Sequence, residues 1–379
     1  MLGWYLSKNN EIQNPVPDHR IPFDAGEPLV YPMDGEPEMG NVLEVTPGLL
    51  WLRTPLPFSL EHINLYLLED EGGFAIVDTG LNTSMVRNIW ENVFELILKK
   101  APITKIIVTH YHPDHMGLAG WLHEKTGAPL YMTRDEYFLG QFLLLGSSDI
   151  VPDEVVGFYR EAGFPEAGLE MMKGKGFSNY KRGVSDLPLQ YQRLQDGDTL
   201  NIGKRDWKIL VGNGHSPEHA CLYLEVEGIL ISGDQVLPKI TSNISVYPTE
   251  PFANPLKDWL ESICYLKENT KPETLTLPAH NEVFLGLHKR LDEMHRGHVR
   301  RLKAVAIECE NPKSCIESFP VLYRRKLTGM DFILGAGEAL AHLHYLEDRG
   351  VLERQTIDGI IKFKALRKFD EEKDLEIVL

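Results

Sequence analysis

The most informative motif of this sequence is Thr109-His-Tyr-His-Pro-Asp-His-Met-Gly117. It places His110, His112, Asp114 and His115 within six consecutive residues. Imidazole and carboxylate groups at this density are typical of a metal site, because both are common metal ligands in proteins. The alternative is a surface loop on which several histidines happen to crowd, and the H-x-H-x-D-H order argues against it.

The flanking residues predict where this stretch lies in the fold. Residues 103–108 form a β-branched apolar run of strand length, and the spacing of apolar residues over 116–127 indicates a helix that ends at a glycine. On an extended backbone the first two histidines point the same way, while the turn brings the aspartate and the third histidine to a neighbouring point. One strand-to-helix turn can therefore serve two adjacent metal ions.

The composition limits the partners of the protein. With 379 residues, 43% of them hydrophobic, the chain is large enough for one large domain with a smaller one, or for two domains. The net charge of −16 argues against general binding to nucleic acid or to acidic membranes, although a local basic patch could hold an anionic substrate. We therefore expect a small-molecule substrate.

The cysteines and the chain ends predict a cytoplasmic protein. Cys221, Cys264, Cys309 and Cys315 show no C-x-x-C pairing and are too few for a disulfide scaffold, so we expect reduced thiols that mostly fill the core. No apolar run has the length of a membrane-spanning helix, and residues 1–10 lack the pattern of a secretory signal.

Upstream of the metal turn, the sequence predicts an arm and then a sheet. Residues 1–42 are rich in proline, glycine and acidic residues and predict an extended arm. Short β-type runs follow, and one of them ends in Val77-Asp-Thr-Gly80. Asp78 could cap the next helix, orient a metal-bound histidine or solvate a turn.

Downstream, residues 134–187 interrupt the alternation of strands and helices. This insertion is rich in aromatic residues and glycine and has helical spacing in two places. It could form a lid over the metal site, or its helices could cover a face of the sheet.

Three further metal-ligand residues occur at strand ends. His215, Asp234 and His280 each come at the end of a β-type run. Strand ends converge along one edge of a layered sheet, so we expect these side chains to join the metal turn.

Together these motifs resemble those of the metallo-β-lactamase superfamily. The resemblance covers about residues 43–285, and the motifs that carry it are Val77-Asp-Thr-Gly80, His110-x-His112-x-Asp114-His115, Gly214-His-Ser216, Ser232-Gly-Asp234 and Pro278-Ala-His280. It implies an α/β fold, the αββα sandwich, and a hydrolytic centre with two metal ions.

The resemblance also implies a role for each matching residue. The first metal would be held by His110, His112 and His215, the second by Asp114, His115 and His280, and Asp234 would bridge them. The candidate catalytic carboxylates are Asp114, on the second metal, and Asp78, which would orient a ligating histidine. Lactam-hydrolysing members commonly carry a cysteine at position 234, so the aspartate resembles the glyoxalase II branch and argues against antibiotic hydrolysis.

Residues 286–379 form a tail with its own pattern. Two helical segments and a hairpin resemble the winged-helix module that follows the hydrolase domain in relatives of the β-lactamase-like protein 2. Acidic and basic residues are nearly balanced there, which favours packing, homodimer formation or a wall of the substrate site over nucleic-acid binding.

We therefore predict hydrolysis of a thioester or similar activated ester. Two divalent cations, Zn²⁺ in the first place with iron or manganese as alternatives, would activate a bridging water to hydroxide. A thiolate leaves readily because the pKa of its conjugate acid is about 8.5, which makes glutathione and coenzyme A conjugates the candidate substrates.

Two other classes of function remain as alternatives. A metal-dependent endoribonuclease would use the same pair of ions, although the chain has no basic stretch interleaved with aromatic residues. A mononuclear iron oxygenase, or a binding protein without catalysis, could also use this scaffold.

Overall fold

The computed structural model describes residues 28–57, 60–174, 176 and 179–375. Most of the arm predicted for residues 1–42 lies outside these residues. Within the described part, Val30 pairs with Leu285 in an isolated antiparallel bridge.

The first sheet has seven strands, hydrogen-bonded in sequence order. They are β1 (Val42–Thr46), β2 (Leu49–Pro55), β3 (His62–Asp70), β4 (Gly73–Val77), β5 (Ile103–Ile107), β6 (Leu130–Met132) and β7 (Gln192–Arg193). The pairings from β1 to β4 are antiparallel and those from β4 to β7 are parallel. The parallel connections run through helices, as parallel pairing requires. Between β4 and β5 lies α1 (Ser84–Asn92), which continues into a π-helical turn over Val93–Ile97. Between β5 and β6 lie α2 (Pro113–Met116) and α3 (Ala119–Thr126), and the helical insertion joins β6 to β7.

The second sheet has six strands in the order β13-β12-β11-β10-β9-β8. They are β8 (Thr199–Ile202), β9 (Arg205–Gly212), β10 (His219–Leu224), β11 (Ile229–Gly233), β12 (Leu275–Pro278) and β13 (Phe284–Leu285). Only the β11–β12 pair is parallel, and α7 (Pro255–Asn269) provides its crossover.

The two sheets face each other across a dry core. Trp51 and Tyr66 of the first sheet belong to the same buried cluster as Trp207, Leu222 and Leu277 of the second. A separate cluster lies under α1 and α3, and another lies under α7 and the C-terminal helices. Both faces of each sheet are therefore covered, which explains the nearly continuous apolar strands. The predicted αββα sandwich is confirmed.

The single helix predicted over residues 116–127 is wrong in one respect, because α2 and α3 are separated by a break. At the break the Leu118 N–H donates to the Gly80 carbonyl, 3.1 Å away, instead of continuing the helix. A Cβ atom on Gly117 would lie 2.4 Å from that same carbonyl oxygen. The break lets the Asp78–Gly80 turn pack directly against the metal turn.

Among its described residues the insertion forms a short 3-10 helix over Asn179–Arg182 and three α-helices, of which only the first two were predicted. They are α4 (Arg134–Leu145), α5 (Asp153–Glu161) and α6 (Glu166–Lys173). Buried residues of α4 join the cluster on the outer face of the first sheet, whereas those of α5 and α6 join the cluster of the C-terminal elements. A lid role for the insertion stays a prediction.

The tail contains the predicted two helices and hairpin. In order they are α8 (Leu287–Glu308), β14 (Lys313–Ser314), α9 (Phe319–Leu322), α10 (Met330–Asp348), β15 (Leu352–Ile357), β16 (Ile360–Ala365) and α11 (Glu371–Asp374). Residues 284–285, just before α8, pair with β12 as strand β13. Within the described part of the chain, no helix is both long and apolar enough to span a bilayer.

Candidate metal centre

Seven side chains from four chain segments meet at one edge of the sandwich. They come from the turn after β5, the loop after β9, and the ends of β11 and β12. Their ligand-type atoms form two groups, each with all atoms within 4.8 Å of one another: His110, His112, His215 and Asp234 in one, and Asp114, His115 and His280 in the other. Every metal-ligand candidate from the sequence is therefore brought together.

Asp234 lies between the two groups. Its Oδ2 is 3.4 Å from Nε2 of His215 in the first group. Its Oδ1 is 3.6 Å from Nε2 of His115 and 3.4 Å from Nε2 of His280 in the second. One carboxylate therefore faces both groups, as a bridging ligand must.

The histidines are oriented by hydrogen bonds from their other ring nitrogen. Nδ1 of His215 donates to the Asn243 carbonyl and Nδ1 of His280 donates to the His62 carbonyl, each at 2.8 Å. Nδ1 of His115 donates to the Asp78 carboxylate at 2.7 Å. In all three rings Nε2 is consequently aimed into the cluster, where it can bind a metal ion once it carries no proton.

The aimed atoms have no hydrogen-bond partner in the part of the chain that the structure describes. Nε2 of His115, His215 and His280 and Oδ1 of Asp234 are all buried without a hydrogen bond among the residues that the structure describes. Buried polar atoms without partners are costly, so four facing one another require an explanation. Divalent cations satisfy such a donor set, and the residues present fit them.

The electrostatics of the cluster favour the ligand forms of several side chains. Burial lowers the pKa of His112 to about 3, and it also lowers the pKa of His110. Burial would raise the pKa of Asp114, but the adjacent His115 ring lowers it to about 2. At Asp234, too, burial acts to raise the pKa, but neighbouring histidines bring it well below its usual range. Neutral imidazoles and ionised carboxylates are the forms that bind cations.

Asp78 lies behind the cluster. Its carboxylate accepts from the Thr109 N–H at 2.8 Å, from the Thr109 hydroxyl and from His115 Nδ1. The cap of α1 is instead Thr83, whose side chain accepts from the Val86 N–H. Of the three roles considered for Asp78, the structure fits the orientation of a histidine.

Sequence patterns did not indicate one buried carboxylate, Glu136 at the start of α4. It accepts the N–H of Tyr111 at 2.9 Å, the hydroxyl of Ser216 at 2.5 Å and the N–H of Glu218 at 2.9 Å. Glu136 thus joins the metal turn to the loop that carries His215. Burial raises the pKa of Glu136 to about 7, against hydrogen bonds that lower it.

A second residue that was not singled out is His219. It is fully buried, and its Nε2 accepts the backbone N–H of Asp234 at 3.0 Å. Gly233 comes so close to this ring that an added Cβ atom would lie 2.5 Å from Nε2. The ring therefore supports the backbone from which the Asp234 carboxylate projects.

The C-terminal helices hold the loop that leaves Asp234. Arg290 of α8 donates to the carbonyls of Leu237 and Ile240, each at 2.6 Å. The carbonyl of Gly337 in α10 accepts the N–H of Val246 at 3.1 Å, and an added Cβ on that glycine would lie 2.6 Å from Ser245. The tail is therefore packed against the loop that contains Asn243, the partner of His215.

Comparison with known protein families gives two matches. Residues 59–280 match a family model described as the metallo-beta-lactamase superfamily. Residues 302–366 match a second model, described as the metallo-beta-lactamase-like C-terminal domain.

Individual relatives extend over most of the chain. A solved beta-lactamase domain protein from Burkholderia ambifaria is 40% identical, with a TM-score of 0.82 over 89% of this chain and 98% of its own. The probable metallo-hydrolase YqjP of Bacillus subtilis is 23% identical over 339 residues, which are 85% of this chain and 99% of its own. The atrochrysone carboxyl ACP thioesterase dmxR1 of Cryptosporiopsis sp. is 21% identical over 349 residues, 90% of this chain and 84% of its own.

Proposed function

Because this chain belongs to the metallo-β-lactamase superfamily, we propose that it is a hydrolase with two divalent cations in the cluster described above. The first cation would be held by the group that contains His110, and the second by the group that contains Asp114. The observation that carries this proposal is the set of four buried nitrogen and oxygen atoms that face one another without partners.

Two bound cations would supply a hydroxide nucleophile near neutral pH and an electrophile for the substrate oxygen. The protein's own contribution is to fix their positions. Asp234 reaches both groups and so sets their separation. Asp78 holds His115 in one tautomer and one orientation, and Asn243 and His62 do the same for the other two rings.

We propose a thioester as the substrate. Water and the thioester give a carboxylic acid and a thiol, and the thiol leaves with little help from a general acid because its pKa is about 8.5. The name of the Cryptosporiopsis relative, a thioesterase, supports this choice. The aspartate at position 234 supports a thioester substrate as well, since an aspartate at this position resembles the glyoxalase II branch of the superfamily.

For the metal we propose Zn²⁺, with iron or manganese as alternatives. A set of five histidines and two aspartates binds all three ions, and geometry and supply select among them. Elemental analysis of the purified protein, followed by reconstitution with each ion in turn, identifies the metal that gives activity.

A panel of glutathione and acyl-coenzyme A thioesters, assayed by release of the free thiol, tests the proposed activity. We expect turnover by the metal-loaded protein and none above background by Asp114→Ala. Asp34→Ala, which removes an exposed carboxylate outside the cluster, is the matched control and should keep full activity.

Single-stranded RNA belongs in the same assay as the competing substrate. Cleavage of RNA that is lost in Asp114→Ala, without release of thiol from any thioester, would replace the proposal with an endoribonuclease. Oxygen uptake by protein that contains one iron ion would replace it with an oxygenase.

A further inference from the structure

A run of three basic residues lies between α9 and α10. Arg324, Arg325 and Lys326 are consecutive and all exposed. The run stands out in a chain with a net charge of −16, whose overall field repels anions. Arg325 pairs with Asp331 at 2.6 Å, whereas no described residue forms a hydrogen bond or an ion pair with the side chain of Arg324 or Lys326. Two cationic side chains are therefore available to a ligand.

Arg324 and Arg325 of this run line a cleft of about 470 Å³, and Lys326 follows them in the chain without lining it. The walls of the cleft are apolar and cationic side chains together with one carboxylate: Leu322, Tyr323, Arg324, Arg325, Leu327, Asp331, Leu334 and Gly335. The wall is fixed at Gly335, because the Tyr323 hydroxyl donates to its carbonyl at 2.8 Å. An added Cβ on Gly335 would lie 2.4 Å from Leu327, so the glycine allows this close packing.

A third guanidinium lies behind the wall. Nη1 of Arg301 in α8 is buried and has no hydrogen-bond partner among the described residues. Its nearest carboxylate oxygen is Oε1 of Glu338, 3.9 Å away, and Oε2 of Glu338 accepts from Nδ2 of Asn243 at 3.5 Å. The positive charge beside the cleft is therefore only partly compensated.

The cleft lies next to the metal cluster. The carbonyl of Leu334 in its wall is 3.4 Å from Nδ2 of Asn243 and 3.4 Å from the Ser245 hydroxyl. The carbonyl of the same Asn243 accepts the Nδ1 hydrogen of His215 at 2.8 Å. A single residue, Asn243, thus separates the cleft wall from a proposed metal ligand.

We propose that this cleft binds the anionic end of the substrate's thiol carrier, that is, its phosphate or carboxylate groups, while the thioester lies at the metal cluster. This inference rests on the proposed thioester hydrolysis. Guanidinium groups form paired, charge-assisted hydrogen bonds with both anions. Coenzyme A carries phosphates and glutathione carries carboxylates, in each case at a distance from the sulfur.

The test compares one acyl group on three carriers: coenzyme A, glutathione and the uncharged N-acetylcysteamine. The double variant Arg324→Ala/Lys326→Ala removes the two free cations. The matched control, Lys289→Ala/Arg296→Ala, removes the same charge from α8 at residues that do not line the cleft. Thermal unfolding and metal content establish that both variants are folded and loaded.

We expect the double variant to lose about tenfold in kcat/KM on an anionic carrier, mainly through KM, and to keep its rate on N-acetylcysteamine. The control should change neither. A loss confined to coenzyme A identifies phosphate as the ligand, and a loss confined to glutathione identifies carboxylate. Equal losses on all three carriers, or no loss on either anionic carrier, would overturn the proposal. It would also be overturned if the double variant lost RNA cleavage but kept its full rate on every thioester.

Calorimetric titration with free coenzyme A and free glutathione separates this proposal from the proposed activity. If the wild-type protein hydrolyses no thioester, the proposed function has failed. Binding of a free carrier that disappears in the double variant would still support the anion site. Absence of binding to both carriers by the wild type would refute it.

Discussion

Arg290 in α8 donates a hydrogen bond from Nε to the carbonyl oxygen of Leu237, 2.6 Å away, in the loop that follows Asp234. Its Nη2 donates to Ile240 at 2.6 Å, and the side chain is only 10% exposed. A helix of the tail therefore fixes the path of the chain between Asp234 and Asn243, both of which belong to the metal cluster or contact it.

Replacement of Arg290 should weaken metal binding as well as the fold. Arg290→Met keeps much of the volume but leaves the buried Leu237 carbonyl and the part-buried Ile240 carbonyl without donors, so we expect a loss of about 1–3 kcal/mol in the free energy of unfolding. Metal affinity should fall by about tenfold, because the loop is less well fixed. Denaturation and metal titration measure the two effects. Arg296→Met, on the exposed face of α8, is the control. If Arg290→Met keeps the wild-type metal affinity, Arg290 contributes to the stability of the fold and not to metal binding.

Asp78→Asn should lower metal affinity while the fold survives. The carboxylate accepts from the Thr109 N–H on one oxygen and from His115 Nδ1 on the other, so an amide must turn its NH₂ group toward one of these donors. We expect a fall in affinity of about 10- to 100-fold, the range for losing a hydrogen-bond partner of a metal ligand. Metal titration into chelator-stripped protein, with circular dichroism to confirm folding, measures it.

The matched control for Asp78 is Asp70→Asn at the far end of β3. Asp70 also accepts several hydrogen bonds, from the Thr104 hydroxyl at 2.6 Å and the Gly203 N–H at 2.9 Å among others. It has no contact with the cluster, so its variant should lose stability and keep its metal affinity. Equal affinities of the Asp78→Asn and wild-type proteins would remove Asp78 from the site.

In the metal-free protein, the titration of Glu136 should lower the free energy of unfolding as the pH rises. Its pKa is raised from 4.5 to about 7 in the folded protein, because it is buried. Between these values the folded protein holds a proton that the unfolded chain has released, so the free energy of unfolding falls as the pH rises through the window. The shift corresponds to about 3 kcal/mol.

The side chain introduced by Glu136→Gln cannot titrate. The free energy of unfolding of this variant should therefore lack the part of its pH dependence that Glu136 causes. Urea denaturation of both stripped proteins at pH 5, 6 and 7 gives the difference, in which the titration of other groups cancels. Glu154→Gln, at an exposed position in α5, is the control and should follow the wild type. Parallel pH profiles for Glu136→Gln and wild type would contradict the raised pKa.

The sequence predicted the fold and the metal cluster because both depend on local patterns. The apolar strand runs predicted the sheets, and His215, Asp234 and His280 could be found since each comes at a strand end. Convergence of strand ends at one edge is a general property of such layers. The cluster could therefore be assembled without coordinates.

The supporting residues could not be found in the same way. Glu136 lies in the first turn of a helix, where an exposed acidic residue is ordinary, and its partners are 25 to 82 positions away in the sequence. Arg290 contacts carbonyls about 50 residues away, and no side-chain pattern marks a carbonyl. The break at Gly117 likewise depends on a distant backbone, the Gly80 carbonyl. Local sequence patterns carry no information about these contacts.

A titration of thiol release against the number of bound metal ions decides whether the protein is a thioester hydrolase with two metal ions. Chelator-stripped protein is titrated with Zn²⁺, and bound metal and the rate of thiol release are measured on the same samples. We expect no activity without metal, full activity at two equivalents, and a parallel loss of metal and activity in Asp234→Ala, because this carboxylate faces both groups of ligands. Thiol release by the stripped protein at the rate of the loaded one, or full activity and two bound ions in Asp234→Ala, would contradict it.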